Sequence, residues 1–78
     1  MPTIFRSGPY RFFFFSNERG EPRHVHVEAG PGYAKVWLAP VAFAASHGFN
    51  GKQMNEILRL VEANRDRCME AWDDFFRT

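Results

Sequence analysis

The chain reads as an α+β domain: a small four-stranded antiparallel sheet in meander order, then a short helix and one long C-terminal amphipathic helix packed on the sheet. Three observations predict this. Residues 3–38 alternate polar and apolar side chains at the two-residue period of strands, interrupted by Gly and Pro turn signals. Residues 50–76 place apolar side chains three and four apart, the spacing of a helix with one buried face. No linker, repeat or low-complexity stretch separates the two parts, so residues 1–78 are taken as one domain.

The elements follow in order. Thr3 to Arg6 is a short strand, and Ser7-Gly8-Pro9 is a turn. Tyr10 to Ser16 is a second strand, with Tyr10, Phe12 and Phe14 on one face and Arg11, Phe13 and Phe15 on the other. Both faces are apolar in the middle, so the strand needs cover on both sides. With one helical layer to supply it, the second face is expected to meet another chain, either a homodimer through Phe12–Phe15 or a different protein, the alternative being that the chain wraps round its own sheet. Asn17 to Pro22 is a polar turn. A third strand reaches Ala29, Gly30-Pro31-Gly32 turns the chain, and a fourth strand runs from Tyr33 to Leu38. Setting Glu28 opposite Tyr33 puts His26 opposite Lys35 and His24 opposite Trp37, and keeps Val25 and Val27 in the core. Pro40 suits the first turn of a helix and Gly48 its end, so Val41 to His47 reads as the short helix. Asn50 with Gln53 reads as a capping-box variant that opens the long helix. Its stripe runs Met54, Ile57, Leu58, Val61, Cys68, Met69, Trp72, Phe75 and Phe76, losing an apolar residue only near Arg65.

Composition narrows the function classes. A chain of 78 residues buries only about 60% of its unfolded surface, so its core must be dense. Thirteen aromatic residues supply that density, while the single Cys68 excludes an internal disulfide and suits a reducing compartment. Cys68 itself belongs to the helix core. The first residues lack the pattern of a signal peptide, and the apolar stretch Val36 to Ala45 is too short to span a bilayer and is broken by Pro40. A cytoplasmic location and no membrane are expected. The first forty residues carry five basic against three acidic side chains, the remainder five against six. That mild basic bias suits an anionic ligand but is too small to argue for nucleic acid on its own.

The stretch Glu21 to Glu28 draws the functional reading. Val25 and Val27 face the core, so His24, His26 and Glu28 line the outward face. Arg11, Arg23, Tyr33, Lys35 and Trp37 lie within reach of that face as candidate binding residues. A histidine pair can divide acid and base work, with His24, His26 and Glu28 acting at a ribose phosphodiester. Alternate strand residues lie about 6.6 Å apart, roughly the span of a phosphate with its ester oxygens. The cations could stabilise charge on the phosphoryl oxygens, and Trp37 or Tyr33 could stack a base. A metal needs a third ligand, and Glu28 lies about 13 Å along the strand from His24. No metal or cofactor is therefore expected. The same residues serve equally as a surface that docks a partner protein or nucleic acid without catalysis. Rolling-circle nucleases share a His-apolar-His pair but add a tyrosine on a helix, whereas Tyr10 and Tyr33 sit in expected strands.

From end to end the chain resembles a small bacterial family catalogued as domain of unknown function 4160. The resemblance rests on Met1 to Arg6, Gly8 to Phe14, and Pro22 followed by His24-Val25-His26-Val27-Glu28. It continues through Ala34-Lys35, Trp37-Leu38, Pro40-Val41, Gly48-Phe49, Ala71-Trp72 and Phe75-Phe76. Two departures stand out: Arg23 where the pattern has a second proline, and Ala39 where an acidic residue would cap the short helix, a loss of about 1 kcal/mol at a helix start. The resemblance implies a two-protein module of toxin–antitoxin type, with a small neighbour-encoded protein as partner. It brings no catalytic residues. The function expected is therefore binding through the outward face of the His24–Glu28 strand, with a metal-independent endoribonuclease using His24 and His26 as the alternative.

Overall fold

The computed structural model describes residues 3–16 and 18–77. It is an α+β arrangement of five strands and two helices: β1 (Thr3–Ser7), β2 (Tyr10–Phe13), β3 (His24–Ala29), β4 (Gly32–Leu38), β5 (Val41–His47), α1 (Gly51–Ala63) and α2 (Arg65–Phe76). The strands form one antiparallel sheet in the order β1-β2-β3-β4-β5, a meander in which each strand pairs with its sequence neighbour. The β3–β4 register is the expected one, with His24 opposite Trp37, His26 opposite Lys35 and Glu28 opposite Tyr33. Burying Val25, Val27, Ala34 and Val36 together selects it, because a slip by one residue would turn all four outward.

The sheet has five strands rather than four, because residues 41–47 form β5 and not the expected short helix. Val41 and Phe43 are partly buried while Ala42 and Ala44 are exposed, a two-residue alternation that the alanines obscure in the sequence. Ala39–Pro40, joined by a cis peptide, forms the turn between Leu38 and Val41 rather than a helix start. Pairing along β4 then outweighs the helix preference of three alanines. Gly48 ends the strand at φ +75°, in the left-handed region, where a side chain would press on the Pro31 carbonyl oxygen at 3.1 Å.

The long helix is two helices. Asn50 and Gln53 form the expected capping box at the start of α1. At the far end the Asn64 side chain donates to the Leu60 carbonyl at 2.8 Å, competing with the helix for its own backbone. The chain bends there, at the gap in the apolar stripe. A straight helix of that whole length would run about 39 Å, far past strands of four to seven residues. Arg65 fixes the start of α2 by donating to the Leu38 carbonyl at 2.7 Å.

One face of the sheet and the helices enclose the main core of Phe5, Tyr10, Phe12, Val25, Val27, Ala34, Val36, Leu38, Ile57, Val61 and Cys68. The second face is covered by the chain itself. Strand β2 ends at Phe13, and Phe15 and Glu18 of the connection to β3 lie over the histidines. Phe14 turns into a cluster with Trp72, Phe75 and Phe76 of α2. Phe12, Phe13 and Phe14 are buried within the chain. The Phe12–Phe15 strand therefore offers no open aromatic face, and the ground for expecting a homodimer there is gone.

Candidate functional site

Strand β3 places His24 and His26 on one face at alternate positions, and their ring centroids lie 5.0 Å apart. They were expected to face outward. They are buried instead, His24 at 0% exposed and His26 at 2%. Phe15 packs edge-on against His26 at 4.5 Å and Phe13 stacks on it at 5.5 Å. Trp72 and Trp37 close over His24 at 4.9 and 5.5 Å. Each imidazole sits in an aromatic box on what the alternation alone marks as the solvent side.

Glu18 supplies the polar partner. The residue heads a turn in which the Glu21 N–H donates to its carbonyl at 3.1 Å, and the turn aims its side chain down at the sheet. Its Oε1 lies 2.7 Å from His26 Nε2 and 2.9 Å from His24 Nε2, and its Oε2 lies 2.8 Å from His26 Nε2. The Phe15 N–H donates to the same carboxylate at 3.3 Å. Burial by itself raises the Glu18 carboxyl, but the hydrogen bond from His26 and the His24 ring beside it outweigh burial and hold the group below its ordinary value. For His26 burial is the larger effect and lowers the imidazole, although Glu18 pulls the other way. His26 Nε2 is thus a neutral donor to an ionised carboxylate.

The other ring nitrogens fix the tautomers. His24 Nδ1 lies 2.8 Å from the Pro22 carbonyl, which only accepts, so Nδ1 carries a proton. His24 Nε2 has no hydrogen-bond partner despite the Glu18 oxygen beside it. In a neutral ring that nitrogen holds a lone pair, turned toward a carboxylate. His26 Nδ1 meets the Tyr33 hydroxyl at 2.8 Å, and that hydroxyl can donate or accept.

The remaining expected site residues lie around the cluster rather than in it. Glu28 shares the face but pairs with Arg11 at 2.8 Å and stays 43% exposed. Arg11 also donates to Thr3 and lies over the Phe13 ring. Arg23 pairs with Asp73 of α2 at 2.7 Å, and Lys35 pairs with Glu21 at 2.6 Å while resting over Trp37. Each cation expected to meet an anionic ligand thus has a carboxylate beside it. Trp37 stays partly exposed and, with Pro22, Arg23, Ala39 and Pro40, lines a cleft of about 410 Å³. The site residue that sequence reasoning missed is Glu18. Its signal was a connection of about ten residues between neighbouring antiparallel strands, opening with two phenylalanines that water would not tolerate.

Three His/Glu donors, from Glu18, His24 and His26, lie within 4.8 Å of one another. The arrangement can hold protons in a fixed pattern or ligate a cation. No phosphodiester reaches either ring while residues 14–23 stay in place. Among the described residues no helix is long and apolar enough to cross a membrane. No curated protein and no solved structure matches the chain. A family model, domain of unknown function (DUF4160), matches residues 10–73, which take in β2 to β5, α1, nearly all the cluster's surroundings and most of α2. The chain belongs to the DUF4160 family.

Proposed function

We propose that the protein is a binding module that engages a partner protein along the β4–β5 side of its sheet. The observation that supports this most is the β5 edge. Seven residues, Val-Ala-Phe-Ala-Ala-Ser-His, pair with β4 on one side only and carry no Lys, Arg, Asp, Glu or Pro. Edge strands in isolated proteins are ordinarily guarded by charge, proline, brevity or bulges. Strand β5 has one irregularity, at Ala44, and none of the other guards, so its Val41–Phe43 stretch can accept a further strand. Ala42 and Ala44 are exposed along it, and Ala42 stands opposite the partly exposed Trp37 beside the cleft at Pro40. An aromatic side chain beside a main-chain docking edge is the pattern of an interface anchor.

On this reading the buried histidines hold the sheet and the connection over it in shape instead of performing catalysis. The endoribonuclease alternative draws no support from rings at 0% and 2% exposure. Nucleic acid draws little, because Arg11, Arg23 and Lys35 are already ion-paired. The toxin–antitoxin type of module that the family resemblance implies names the first partner to test, the small neighbour-encoded protein. Its purified form should bind the wild-type chain in titration calorimetry. Ala42→Lys with Ala44→Lys, and separately Trp37→Ala, should each weaken that binding at least about tenfold without unfolding the domain. Unchanged affinity in both variants would refute the docking edge.

A further inference from the structure

We infer that Glu18, His24 and His26 form a binding site for a divalent transition-metal cation of the zinc class. The donor set is two imidazole Nε2 atoms and one carboxylate, a combination that such ions accept. All three ligand atoms lie within 4.8 Å of one another, and two ligands on one tetrahedral ion at 2.0–2.2 Å are about 3.5 Å apart. The gap to close is the one between the two imidazole nitrogens, since Glu18 Oε1 lies only 2.7 and 2.9 Å from them. The rings must turn toward each other while Glu18, carried by a turn instead of a strand, yields its place. Its Oε1 now lies between the two nitrogens, and an ion placed there would push it back while keeping it bound.

An independent observation points to a cation. His24 Nε2 is fully buried, aimed at the Glu18 carboxylate and without a hydrogen-bond partner. Its other nitrogen is committed to the Pro22 carbonyl, which fixes the tautomer that leaves Nε2 free to ligate. His26 has the same provision, since Nδ1–H can donate to the Tyr33 oxygen once Nε2 takes the metal. Both histidines thus have the outer partner that metal-bound imidazoles ordinarily have. Glu28, the acid nearest in the strand pattern, is engaged with Arg11 and takes no part. Three protein donors leave one tetrahedral position for a water. Because Glu18 belongs to the connection over the sheet, the ion would tie residues 14–23 to β3.

The test uses the full chain stripped with a chelator and then titrated with Zn²⁺, or with Co²⁺ as the coloured probe. Wild type should bind one equivalent, show the strong visible bands of low-coordinate Co²⁺, and resist trypsin at the exposed Arg19 when Zn²⁺ is present. Glu18→Gln and His26→Gln should lose the bands and weaken Zn²⁺ binding by more than about 100-fold, while Tyr33→Phe should weaken it about tenfold. His47→Ala, an exposed histidine on β5, should change nothing. If wild type binds no Co²⁺ or Zn²⁺ stoichiometrically, the site is overturned, whatever the variants do. It is also overturned if His47→Ala abolishes binding that folded Glu18→Gln retains.

Discussion

Replacing Glu18 by alanine should cost far more than replacing Glu28, although Glu28 is the acid that the strand pattern sets in line with the histidines. In metal-free protein, Glu18→Ala leaves His26 Nε2–H unpaired in a ring 2% exposed. An orphaned buried donor costs about 1–3 kcal/mol. The Phe15 N–H loses its acceptor as well, and the connection over the sheet loses its attachment to both histidines. A hydrogen bond from a neutral ring to an ionised carboxylate is worth about 1.5–3 kcal/mol, and the Glu18 side chain, 11% exposed, lets water replace part of the contact. The expected loss is about 3 kcal/mol. A domain of 78 residues has about 4–12 kcal/mol in all, so the melting temperature should fall by about 15 °C. Glu28→Ala removes an ion pair whose side chains are 17% and 43% exposed, worth less than about 1 kcal/mol. Urea unfolding with chelator present, followed by tryptophan fluorescence, measures both variants on one scale. A Glu18→Ala loss no larger than that of Glu28→Ala would refute the reasoning.

Other outcomes follow from the same geometry. Acid should destabilise the metal-free protein in two stages. The unfolded chain takes up the His26 proton near its ordinary 6.5 and the Glu18 proton near 4.5, while the folded chain takes up both only at lower pH. Stability is thus full at neutral pH, falls as pH drops below 6.5 and falls again as pH drops below 4.5, and urea midpoints at pH 7.5, 5.5 and 4.0 check it. The opposite slope would contradict a lowered His26. Cys68, fully buried with its thiol pushed up to about 11 by burial, should react with a thiol reagent only after denaturant is added. Phe14→Ala should cost about 3–5 kcal/mol in urea, because its ring sits within the Trp72, Phe75 and Phe76 cluster that covers the second face.

The readable parts of the sequence were those where local pattern and burial agree. Alternating valines fixed the β3–β4 register, and the Asn50–Gln53 pair marked the start of α1. The misread parts were those where tertiary contacts outvote local signals. Residues 41–47 carry a helix-like composition after a proline, but β4 needed a neighbour and the Ala39–Pro40 turn brought them alongside. The helix break at Asn64 showed in the sequence only as one missing apolar residue near Arg65. The histidines were legible as a pair on one face, yet two-residue alternation cannot tell a solvated face from one that a loop folds over. Phe13, Phe14 and Phe15 carried that information, because an aromatic run on both sides of a strand demands cover. Read as an interface with another chain, it left Glu18 among ordinary turn residues.

The central claim is that His24 and His26 are sealed beneath residues 14–23 with fixed ring protons. Long-range ¹H–¹⁵N correlation spectra of the histidine rings at neutral pH, with chelator present, test it most directly. The account predicts a His24 ring carrying its proton on Nδ1, protected from exchange with water, and a His26 ring whose Nε2–H is held on Glu18. Averaged tautomers and rapid exchange at both rings, as for an imidazole in open solvent, would contradict it.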